Sequence, residues 1–228
     1  MKLEAIPIGT FEYLSVTYDA SELNHVLRDA KALSQVVNAK DPSGSTRRGD
    51  LLYSKNLGGL ISEKLVGDLL RLTASSFGST ALVLGATWTK LNADDYQIDH
   101  VVVRNDRRYS IETRSSFSYK TFSVNRVVSG AFSIVGPYST QQKSHESIKD
   151  FYAFAFFYQE PLALLNSALM GEVKIYFAGG ATREMMLDNK VSESSNLGMK
   201  GAAYRVIRPI TRALDANTFL KTVLGITI

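Results

Sequence analysis

The sequence predicts an α/β domain with a mixed β-sheet flanked by helices, and three stretches carry that prediction. Residues 96–116, YQIDHVVVRNDRRYSIETRSS, alternate on both sides of the charged turn Asn105-Asp106-Arg107 and read as a β-hairpin. Upstream, residues 57–76 repeat Ile61, Leu65, Leu69 and Leu72 at helical spacing, with Gly78 as the stop. Downstream, residues 150–158, DFYAFAFFY, are almost wholly apolar, as in a central strand covered on both faces. Between hairpin and apolar run, Ser139-Thr140-Gln141-Gln142 has the spacing of a capping box, which predicts a helix through about Ile148. A strand–helix–strand crossover lays two parallel strands in one sheet.

The remaining elements follow in order. Residues 3–18 alternate weakly and predict an edge strand or hairpin. Ser21 caps a helix whose stripe of Leu23, Val26, Leu27, Ala30, Leu33, Val36 and Val37 serves the core or a dimer face. Residues 38–50, NAKDPSGSTRRGD, form a polar loop. Residues 79–89 read as a buried strand, and 127–135 as a strand or insertion ended by Gly136-Pro137. Pro161 opens a helix over 162–170 that Gly171 stops; a strand over 173–178 ends at Gly179-Gly180. Residues 188–201 have the composition of a mobile loop, 203–210 of a strand bearing Arg205 and Arg208, and Asp215 caps a last helix to Leu224. No repeat or linker divides the chain, so one domain over 1–228 is expected, its core at about 55–180.

Composition narrows the chemistry. The 228 residues are 45% apolar, which excludes disorder, and no run approaches the roughly 20 apolar residues of a membrane span. Absence of cysteine removes disulfides and thiolate metal sites, and three scattered histidines argue against zinc. A hard cation on carboxylates is the metal chemistry that remains. The net charge of +4 is a mild bias toward an anionic partner.

The carboxylates lie where such a site needs them. A period of two puts Glu112 and Arg114 on one strand face, and the hairpin brings Asp99 toward them. Glu63 sits in a second apolar strip of its helix, beside Gly59 and Gly67, where a carboxylate needs a partner. A bland reading also accounts for Asp99, Glu112 and Arg114: a cross-strand ion pair on a solvent face.

At these residues the chain resembles the PD-(D/E)XK nucleases, the restriction-endonuclease-like fold. That family's core has an acid ending one strand, an acid-x-Lys on the next, and often a Glu on a preceding helix. A helix then links the catalytic strand to the next core strand. Asp99, Glu112 and Glu63 match the three acids, Arg114 stands in the lysine's place, and Ser115-Ser116 is a typical sequel. The resemblance covers roughly residues 55–180. It implies that Glu63, Asp99, Glu112 and Arg114 are catalytic, that Asp99 and Glu112 hold Mg2+ with help from the Thr113 carbonyl, and that the reaction is hydrolysis of DNA phosphodiester bonds. Arginine matches a phosphate well but stays protonated at any useful pH, so base work falls to metal-bound water or to another lysine, Lys64 or Lys120.

Arg47, Arg48, Arg107, Arg108, Lys120 and Arg126 are the expected backbone contacts to DNA, with Arg104 and Lys143 further cations near the site. The expectation is a cytoplasmic, homodimeric enzyme of the type II restriction kind, from a prokaryotic or virus-infected cell. Its rivals are a viral or repair nuclease such as a junction resolvase, and a DNA-binding protein that kept the fold and lost catalysis.

Overall fold

The computed structural model describes residues 1–36, 49–85, 99–118, 123–139, 146–197 and 202–227. A seven-stranded mixed sheet runs through the molecule. β1 (Lys2–Ile8) and β2 (Phe11–Asp19) are its first hairpin, as the weak alternation allows. α1 (Ala20–Val36) starts one residue before the expected cap, because Glu22 reaches back to the Asp19 N–H at 2.9 Å in half a capping box. The stripe of α1 is core: Leu23, Val26, Leu27 and Ala30 are buried in the main hydrophobic cluster.

α2 (Gly49–Ser76) begins eight residues earlier than its apolar stripe predicts, with Asp50 favourable at its N-terminus. β3 (Leu82–Gly85) corrects the expectation of a buried strand. It lies at the sheet edge with Leu82 56% exposed, so its apolar run reflects an edge and not a covered strand. β4 (His100–Arg104) and β5 (Arg107–Phe117) form the predicted hairpin. Asn105 and Asp106 both have positive φ (48° and 57°), the requirement of a two-residue turn that follows strand twist.

Most of the expected crossover helix lies outside the described residues, and the chain ahead of it adds elements of its own. After the short α3 (Val124–Arg126), the chain makes a π-helical turn (Val127–Ala131) and enters β6 (Ile134–Ser139). Gly136 and Pro137 therefore lie within a strand and do not end one. β6 is an edge strand, where a residue without an N–H is tolerated. Ser139 ends that strand, residues 140–145 lie outside the described residues, and 146–149 are irregular.

β7 (Phe151–Phe157) is the central strand the aromatic run predicts, parallel to β5, with every residue buried. α4 (Pro161–Met170) follows as expected. β8 (Glu172–Thr182) passes through Gly179-Gly180 instead of stopping there. A register shift against β7 and a bridge from Gly180 to Leu214 take up the irregularity. α5 (Arg183–Leu187) follows. β9 (Glu193–Ser195) is ordered in a three-stranded sheet within the stretch expected to be a mobile loop, held by its pairing to β10 (Ala203–Ile207). α6 (Ala216–Leu224) is capped by Asp215, which accepts from the Thr218 N–H at 2.7 Å, and ends at Gly225 with φ 69°.

The sheet order is β1-β2-β8-β7-β5-β4-β3, with β6-β10-β9 as a second sheet. Alternation along β7 explains why the whole run must be apolar. Phe151, Ala153, Ala155 and Phe157 pack toward α1, α2, α4 and α6. Tyr152, Phe154 and Phe156 pack toward Val127, Val128, Ile134, Met186 and Ile207 on the opposite face. Gly180 is a tight point behind this strand. A Cβ there would lie 2.3 Å from the Tyr152 carbonyl oxygen and 2.5 Å from the Phe219 ring. Gly180→Ala is expected to cost about 3 kcal/mol in urea unfolding; a cost below about 0.5 kcal/mol would show that β7 and β8 part easily.

Candidate active site

The site lies where β4 begins. Its first rung pairs His100 with Ile111, and the Asp99 N–H donates to the Ile111 carbonyl at 3.1 Å. Among the described residues no strand pairs with Thr113–Phe117 on that side. The next N–H on that side of β5, that of Thr113, is taken by the Asp99 side chain at 2.5 Å. The carboxylate thus replaces a ladder bond and is fixed beside Glu112.

α2 runs along the same edge, with Gly58 against the Phe117 ring and Gly67 against His100. Both contacts need glycine, since a Cβ would fall 2.7 Å from Phe117 and 2.8 Å from His100 Nε2. This close approach brings Glu63 into the field of Glu112 and Asp99, although the helix packs on the sheet's other face. Burial pushes Glu63 up to about 8, and Glu112 pushes in the same direction. Burial also raises Glu112 to about 8; Arg114 pulls it back, while Asp99 and Glu146 oppose that pull. Asp99 stands well above the usual carboxylate range because of burial and Glu63, despite the Thr113 N–H, Arg114 and Lys149.

Arg114 is committed within this cluster. Its Nη2 donates to both oxygens of Glu146 at 2.6 and 2.7 Å, and its Nη1 lies 3.1 Å from Glu112 Oε1. The guanidinium also stacks 5.1 Å from the Tyr138 ring centroid. The pair is buried and not on a solvent face, with the Glu146 side chain 1% exposed. Lys149, 3% exposed, is the second cation acting on Asp99 and Glu112. Its segment is tied to β5 by Asp150, which accepts from the Ser110 N–H and hydroxyl at 2.8 Å, and its N–H donates to Tyr152 Oη at 2.9 Å.

Glu146 and Lys149 escape the sequence reading, which places 146–148 in a helix. Their only signal is a pair of charges directly ahead of a wholly apolar strand. Lys64 is spoken for elsewhere: it pairs with Asp68 at 2.7 Å and lies over the Tyr18 ring. Arg47, Arg48, Lys120 and Lys143 lie outside the described residues.

The structure separates the other expected cations from the carboxylates. Arg107 and Arg108 are exposed at the hairpin tip, with Arg107 five residues along β5 from Glu112, roughly 17 Å at strand rise. Arg126 follows Asn125, which accepts from the Tyr13 hydroxyl of β2.

The donor set fits a divalent hard cation held by few protein ligands. Among the described residues no three acidic or imidazole groups form a ready cage. Magnesium does not require one, since it uses one or two carboxylates and completes its octahedron with water and phosphate oxygens. Glu112 Oε2 is buried with no hydrogen-bond partner, an atom that needs a cation or a proton. Arg114 and Lys149 both act on Asp99 and Glu112, and Arg114 also pairs with Glu146.

No family model matches the chain, and no solved structure matches it. The chain is 29% identical over 237 residues to an uncharacterized protein of Methanocaldococcus jannaschii, MJECS01, an alignment spanning 92% of this chain and 85% of that protein.

Proposed function

We propose that this protein is a magnesium-dependent endodeoxyribonuclease of the type II restriction kind, with a restriction-endonuclease-like core, acting as a homodimer where both strands are cut. The convergence of Glu63, Asp99 and Glu112 beside β5 carries the reading. The order of helix, three antiparallel strands and a parallel fourth strand supports it. Asp99 and Glu112 would hold Mg2+, which when bound polarises the scissile phosphate and supplies an activated water. Asp99 is oriented for this by the Thr113 N–H, and Glu112 by Arg114. Arg114, bound to two carboxylates, serves the site as a fixed charge. Lys149, whose charge acts on Asp99 and Glu112, is the cation we assign to offsetting charge that develops on the phosphate.

A second reading is a DNA-binding protein on the same framework without catalysis. One observation favours it: the guanidinium in the lysine's place is engaged by Glu146 and Glu112 and not presented to a substrate. Supercoiled plasmid and phage DNA incubated with and without Mg2+ separate the two. The nuclease reading expects discrete fragments that require Mg2+, vanish with Glu112→Ala and fall at least tenfold with Lys149→Met. Intact DNA with every divalent metal, together with retained DNA binding, would establish the second reading.

A further inference from the structure

Resting on the metal-site reading above, we propose that Glu146 is a positioning residue of that site. It fixes Arg114, and Arg114 in turn holds Glu112 with one carboxylate oxygen turned free toward a divalent cation. The guanidinium fork makes its strongest contact when both oxygens of one carboxylate are engaged. Arg114 engages both oxygens of Glu146 through Nη2 alone, at 2.6 and 2.7 Å, and gives Glu112 a single Nη1 contact at 3.1 Å.

Two orphaned atoms show which carboxylate governs the arrangement. Arg114 Nε and Glu112 Oε2 are both buried without a hydrogen-bond partner. A guanidinium free to choose would turn its fork onto Glu112 and cover Oε2. Glu146 prevents this. It is itself held by its N–H on the Tyr138 carbonyl at 3.1 Å, and the Tyr138 ring flanks the guanidinium. Serving two carboxylates from one planar group is also something a lysine ammonium does poorly. The arginine at this position and the glutamate 32 residues later therefore act as one unit.

Mn2+ binding at pH 8, measured by calorimetry on the full chain, tests the relay through two variants. Glu146→Gln keeps the shape and removes the charge; Glu146→Asp keeps the charge and withdraws the carboxylate by one methylene. Positioning predicts that both weaken Mn2+ binding by about tenfold, as loss of a group that orients a metal ligand typically does. Nitrogen-15 spectra of the arginine side chains provide a readout that needs no metal: the restrained Arg114 Nη signals of the native protein should average in both variants. Glu146→Asp within about twofold of the native affinity would overturn the proposal, leaving Glu146 as a charge only. Unchanged Arg114 signals in Glu146→Gln would overturn it independently. A native protein that binds no Mn2+ at millimolar concentration overturns the metal-site reading itself, whatever the arginine spectra show.

Discussion

Arg114→Met is expected to destabilise the protein by about 3–5 kcal/mol at pH 8, the largest loss from any single change at the site. The argument turns on what remains. Arg114 is the cation shared by Glu112 and Glu146, whose side chains are 8% and 1% exposed. Its removal leaves two carboxylates with little water and less compensation. Replacing both charged partners, as in Arg114→Met with Glu146→Gln, should recover part of the loss, because an uncompensated buried charge costs more than a missing pair. The penalty should also shrink toward pH 6, since Glu112, already pushed up to about 8, can discharge by taking a proton. Urea unfolding at pH 6 and 8 reads all three effects. A loss below about 1 kcal/mol at both pH values would place the pair among surface contacts, contrary to its burial.

The parts of this arrangement that are local are legible in the sequence. Period-two alternation and an Asn-Asp turn predict β4 and β5, and a seven-residue apolar strand announces that both its faces are covered. Glu63 is legible because a carboxylate inside an apolar strip needs a partner. The extent of β6 is not legible, since it is set by pairing with β10, more than 60 residues downstream. No local window contains that contact. Glu146 is hidden for the same reason: its role exists only through Arg114. The edge position of β3 is hidden too, because an apolar tetrapeptide reads alike at a sheet's centre and at its margin.

Between pH 6.5 and 8 the metal-free protein should lose stability, and a divalent cation should restore it. Glu63 and Glu112 stand at about 8 against an ordinary 4.5, and Asp99 is raised as well. Below pH 4.5 these carboxyls are protonated in both folded and unfolded chains and impose nothing. As pH rises toward 8 the unfolded chain is ionised while the folded one still holds protons, so unfolding releases protons and stability falls. His100 works in the opposite sense, lowered to about 4 by burial and Arg71, and its contribution is complete above pH 6.5. The interval from 6.5 to 8 therefore isolates the carboxylates. At about 1.4 kcal/mol per unit the loss approaches about 2 kcal/mol for one carboxyl, a fall on the order of 5 °C in Tm. Magnesium or manganese binds the ionised form and so should raise Tm more at pH 8 than at pH 6. Glu112→Gln should flatten the slope and the metal response together. A Tm independent of pH over this range would mean that the three carboxyls do not share one low-dielectric site. A slope without a metal response would mean that the cluster stores protons instead of a cation, and the nuclease reading would lose its chemical basis.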